Sequence, residues 1–163
     1  GVFLGFEYHF DMVRPGGALY GLNILNNAQY SMHNVIEFYV NVLFRKTFFK
    51  NQYIGYNATH KVKKGDRVLI LNVGYYHGYR RILTNQSKVY VKGGYILSII
   101  GMVSMNMVIV DANILPEHIF MEVKNVELVG NTITIAEIAK LAGTDQREIL
   151  LGFSSSCKKV YVG

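Results

Sequence analysis

From residue 35 to residue 129 the chain alternates short aromatic and β-branched runs with turn-forming residues, a rhythm that suits antiparallel strands and little else. Val35 to Phe49 reads as a strand ended by Lys50 to Gln52, and Val68 to Val73 as a buried strand entered through a turn at Lys64, Gly65 and Asp66. After a turn at Thr84 to Ser87, Lys88 to Val91 leads into a Gly93-Gly94 turn that restarts at Tyr95. Ile99 to Asp111 reads as one long strand with Gly101 as a bulge or bend; Pro116 closes it off and Phe120 to Val129 supplies another. Helical signals come late. Thr134 with Glu137 makes a capping box, Ile135, Ile138, Ala139 and Ala142 share a face, and Gly143 sits where a helix ends. A second cap at Thr144 or Asp145 starts a short helix through Leu151, and Ser154 to Val162 reads as a closing strand. The expected fold is mainly β, a barrel or sandwich with a short late helical hairpin.

At 163 residues, half of them hydrophobic, the chain can build a substantial core without staples. One cysteine, Cys157, excludes an internal disulfide and any multi-cysteine metal site, and fits a cytoplasmic setting. The formal charge of +6 is carried by lysines and arginines scattered in ones and twos, which argues against a nucleic-acid partner. No signal-peptide pattern opens the chain. The longest apolar segment, Tyr95 to Val110, is interrupted by Ser98, Gly101, Ser104 and Asn106 and falls short of the ~20 residues a membrane span needs. The chain begins in mid-pattern at GVFLGFEYHF rather than with Met, as a piece of something longer would.

The chemistry-bearing candidates lie around the strand at Val68 to Val73. Tyr56 and Tyr75 stand nineteen residues apart, each just after a glycine and each at the edge of a strand-like run. A phenol held there can serve as general acid or base, or simply pack its ring as most of the 12 tyrosines here would. Upstream, Arg14-Pro15-Gly16-Gly17 is either an unliganded turn or a place where backbone N–H groups converge on an anion. The Asn-rich stretch Asn23 to Asn34 reads as a connector at a domain junction.

Four segments in order, DMVRPGGALYG, GYNATH, VGYYHGYRR and IIGMVSMNMVIVD, resemble the C-terminal part of alanine racemase, a family of pyridoxal-phosphate enzymes. The resemblance implies that residues 1–25 are the last strand and helix of a (β/α)8 barrel and that residues 26–163 form the C-terminal β-domain, which completes the site of a partner subunit in a head-to-tail homodimer. It further implies L- and D-alanine as substrates and pyridoxal 5'-phosphate as cofactor. The cofactor lysine belongs to the part of the barrel before Gly1. Racemisation needs two bases flanking one carbon, and Tyr56 occupies the place of the base that serves the face opposite the lysine. By the same resemblance Tyr75 narrows the entrance, Arg14 faces the pyridine nitrogen, and Gly16 and Gly17 meet the phosphate. Met105, with its neighbour Asn106, falls where a backbone N–H holds the substrate carboxylate.

Three positions depart from the family pattern. Asn106 replaces an aspartate, keeping its shape and losing its charge. His77 stands for the aspartate of a GYxDGY motif and reads as a solvated loop residue. A tyrosine that reaches the phosphate is absent from the run Ser154 to Lys159, leaving Ser155 as a shorter donor there. These departures keep open a second expectation, a docking β-domain or remnant without turnover.

Overall fold

The computed structural model describes residues 2–22, 32–154 and 157–162. Among these residues eight strands and three α-helices follow in order: β1 (Phe38–Thr47), β2 (Gln52–Ile54), β3 (His60–Val62), β4 (Arg67–Leu71), β5 (Lys88–Val91), β6 (Tyr95–Ile100), β7 (Val108–Asp111), α1 (Glu117–Glu122), β8 (Asn125–Val129), α2 (Ile135–Ala142) and α3 (Gln146–Ser154). Six of the strands close into a barrel in the order β1-β4-β7-β6-β5-β8, while β2 and β3 form a separate hairpin. All pairings are antiparallel. The mainly β expectation with a late helical hairpin therefore holds, in its barrel form.

The strand β4 shows why the hairpin sits where it does. Leu69 and Leu71 point into the main core with Val89, Leu97, Val108, Val110 and Leu128. Val68, on the opposite face, joins Phe48, Ile54, Val62 and Ile100 in a second, smaller core, with Ile109 packed against it. A strand apolar on both faces thus clamps a barrel on one side and a hairpin on the other.

At the C-terminal end the capping box is complete: Thr134 Oγ1 accepts from Glu137 N at 3.2 Å, and Thr134 N donates to Glu137 Oε2 at 2.8 Å. Gly143 takes the left-handed conformation that ends α2, and Ile135, Ile138, Ala139 and Ala142 are all buried.

Several expectations are corrected. Ile99 to Asp111 is two strands, not one: Gly101 turns the chain at φ 72°, and Ser104 closes a tight turn with Met107, its N and Oγ both donating to Met107 O. Phe120 to Val129 is the last part of α1 followed by β8, because Arg45, from β1, donates to the carbonyls of Phe120 and Val123 and so satisfies the helix end. Among the described residues no closing strand forms: Ser154 ends α3, residues 157–162 lack regular structure, and the closed barrel offers no free edge for them to extend. Of residues 1–25, expected as the last strand and helix of a barrel, the described residues 2–22 hold two 3-10 turns, Phe6–Tyr8 and Gly16–Tyr20. The backbone there bonds to local partners, as in Tyr8 N donating to Gly5 O at 3.1 Å. The proposed junction near residue 25 lies outside the described residues.

Candidate active site

Three loops gather at one end of the barrel, carrying Tyr56, Tyr75 and Met105. Tyr56 sits at the tip of the β2–β3 hairpin, 68% exposed, with nothing sealing its ring into either core. The tip is bent sharply: Asn57 and Ala58 both take positive φ, 59° and 50°. Alanine in that region is strained, and such strain gathers at functional loops. The second core holds the arms of the hairpin, so the tip projects from a stiff base rather than a free loop.

Tyr75 opens a short turn after β4 and is half exposed. Its backbone is fastened to the third loop: Tyr75 N donates to Ser104 O at 3.1 Å and Tyr76 N to Met105 O at 3.0 Å. Gly74 permits this approach, since a Cβ there would land on the carbonyls of Ser104 and Met105. The Ser104–Met107 turn in turn presents Met105 and Asn106 outward, both exposed. Among the described residues, no acceptor takes the Met105 N–H.

Met102 and Arg81 were missed by the sequence reading. The thioether of Met102 accepts from Asn57 Nδ2 at 3.5 Å and from Arg81 Nη2 at 3.9 Å, so one sulfur touches the residue beside Tyr56 and a cation from the Tyr75 turn. The Arg80-Arg81 pair was visible in the sequence; the thioether that links it to the hairpin was not. His77, expected as a solvated loop residue, is half-buried, and its Nδ1 accepts from Gly74 N at 3.3 Å. Tyr79, from the same turn, is fully buried and stacks on Phe153 of α3 with ring centroids 6.3 Å apart. Burial pushes its phenol well above the ordinary tyrosine range, with the Ser87 hydroxyl pulling weakly the other way. That ring is an anchor and takes no part in proton transfer.

The upstream candidates stand separately. Arg14 is exposed and without a partner among the described residues. Gly16 and Gly17 open the Gly16–Tyr20 turn; their N–H groups have no described acceptor, and the space beside Gly16 is open. Among the described residues, N–H donors without acceptors, open space beside Gly16 and a guanidinium without a partner fit an anionic aromatic group such as pyridoxal phosphate. No hydrogen bond, ion pair or ring contact among the described residues joins this segment to the tyrosine loops. Ser155 lies outside the described residues. An open groove beside Tyr75, walled by Arg80, Arg81 and Glu148, does not reach Tyr56, Met105 or Arg14. Among the described residues no cluster of side chains could hold a metal ion, and no helix is long and apolar enough to cross a membrane.

Comparison with known proteins decides the family. A family model described as the alanine racemase C-terminal domain matches residues 35–161. The chain belongs to the alanine racemase family. An alanine racemase of Rickettsia canadensis is 36% identical over 161 residues, which cover 99% of this chain and 43% of that protein. The alanine racemase of Bartonella henselae, solved with covalently bound pyridoxal phosphate, superposes with a TM-score of 0.85 at 30% identity over 99% of this chain and 45% of its own. The biosynthetic alanine racemase of Pseudomonas aeruginosa gives 0.78 at 28% identity, covering 94% and 43%. The chain thus spans less than half the length of these racemases and matches their C-terminal domain.

Proposed function

We propose that this chain is the substrate-completing β-domain of an alanine racemase, interconverting L- and D-alanine in the cytoplasm when a lysine-bearing barrel and pyridoxal phosphate are present. Pyridoxal phosphate, when bound, supplies the electron sink that makes the α-proton of alanine removable. The residues of this chain do the rest from the outer side. The phenol of Tyr56 carries the proton at Oη on the face opposite the barrel lysine. The free N–H of Met105, with Asn106 beside it, donates to the alanine carboxylate, and Tyr75 narrows the way in. Arg14 donates a hydrogen bond to the ring nitrogen without readily giving up a proton, and the N–H groups of Gly16 and Gly17, with Ser155, face the phosphate.

What carries the reading is the exposure of Tyr56 at the tip of a hairpin stiffened by its own core. A phenol that acts on a substrate held by another subunit must protrude and yet be fixed, and this placement supports both. Arg81 shares the Met102 sulfur with Asn57, the residue beside Tyr56, and so ties the Tyr75 side of the site to the hairpin tip.

The test is reconstitution. The chain is co-expressed with the barrel half of a racemase such as that of Rickettsia canadensis, and D-alanine formed from L-alanine is measured. Turnover by the pair, and by neither half alone, is expected. A stable complex without D-alanine would instead mark a docking domain.

A further inference from the structure

The turn that carries Tyr75 is fastened by an acceptor that acid removes. Gly74 is buried, and its N–H donates to Nδ1 of His77 at 3.3 Å. The same two residues are joined a second time through His77 N to Gly74 O at 2.9 Å, and Tyr79 N donates to that carbonyl at 3.2 Å. The imidazole also stands edge-on to the Tyr76 ring, centroids 5.3 Å apart. A side chain thus folds back to cap the first residue of the turn, as a carboxylate or hydroxyl commonly does.

An imidazole differs from those groups in one respect. Its ring nitrogen accepts a hydrogen bond only while it is unprotonated; the imidazolium is a donor at both nitrogens. Protonation would set two N–H groups against each other and leave a buried backbone donor without an acceptor. The charged or titratable groups on the packed elements are Tyr75, Tyr76, Tyr79, Arg80 and Arg81 of the same segment and, from α3, Glu148, which pairs with Arg80. Asp145 and Arg147, at the start of α3, pair with each other. The loop from residue 101 to 107 contributes none. The carboxylate of Glu148 is therefore directed to Arg80, and among the described residues the imidazole has no acidic partner.

We propose that His77 is a positioning residue whose neutral imidazole adds a fastening to the Tyr75 turn that protonation removes, making the hold on Tyr75 dependent on pH. The consequence for catalysis rests on the racemase reading above; the behaviour of the turn does not.

Amide exchange at Gly74 in the 163-residue chain, corrected for the intrinsic pH dependence of exchange, reads the fastening directly. Protection is expected to fall about tenfold between about pH 8 and about pH 5, the loss of one buried acceptor. His77→Asp, which accepts across that range, should abolish the step, and His77→Leu should show low protection at both ends. Ring 15N shifts of unaltered His77 should place the neutral proton on Nε2. Equal protection at both pH values, a step that persists in His77→Asp, or a neutral proton on Nδ1 would each overturn the proposal. Should His77→Leu fail to fold, the unaltered chain and His77→Asp still decide it. A racemase test that fails while this one succeeds would sink only the catalytic reading.

Discussion

Trimming Ile54 to alanine should loosen the hairpin and leave the barrel intact. Ile54 is 9% exposed and belongs to the small core with Phe48, Val62, Val68 and Ile100. The change removes three carbons, worth roughly 0.8 kcal/mol each, or about 2.4 kcal/mol before any cavity term. Buried Ile→Ala changes span about 2–5 kcal/mol, and a site at the rim of a small core can partly collapse, so about 2.5 kcal/mol is expected. At 1.36 kcal/mol per factor of ten, this multiplies local opening by roughly 70. Hydrogen exchange resolved by residue is the assay. Amides of Gln52–Ile54 and His60–Val62 should lose about that factor in protection, while those of Arg67–Leu71 and Val108–Asp111 change little. Equal losses in both sets would refute the reasoning, since hairpin and barrel would then open as one unit and the second core would confer no separate stiffness on Tyr56.

Other outcomes follow from single contacts. Gly74→Ala should destabilise the fold by about 2 kcal/mol or more, because its Cβ would meet two carbonyl oxygens; a thermal melt reads the loss. Thr134→Ala removes the capping oxygen of α2 and should cost about 1 kcal/mol in denaturant unfolding. Asp145 is held down to about 2 by side-chain and backbone hydrogen bonds from Arg147. Its folded-state pKa lies below the unfolded value of about 3.9, so its contribution is present above that value and is lost as pH falls toward 2. Arg147→Ala should return the Asp145 titration toward the ordinary range, as a carbonyl 13C titration would show.

The barrel strands were legible because their apolar runs end at unambiguous turn residues, as at Lys64 to Asp66 and Gly93-Gly94, and α2 because both of its caps are local. What escaped depended on partners remote in sequence. The break between β6 and β7 was read only as a bulge or bend at Gly101, and the Ser104 side chain closing on Met107 makes it a full turn. The helix α1 reads as strand until Arg45, 75 residues from Phe120, reaches its end. The N-terminal 3-10 turns close through backbone bonds within residues 2–22, where the resemblance had implied a strand and a helix. At the candidate site, glycine spacing located Tyr56 and Tyr75 and the family resemblance assigned their roles. The link through Met102 appears only when the three loops are folded together, and the bond from Gly74 to His77 only once the turn between them is formed.

One measurement bears most directly on Tyr56. With a racemase barrel supplied, the chain carrying Tyr56→Phe is compared with the unaltered chain for D-alanine formation and for complex assembly. Loss of the phenolic oxygen should lower turnover by a factor on the order of 10²–10⁴ while assembly is unchanged. Equal turnover by the two chains would contradict the assignment of a proton-transferring role to that residue.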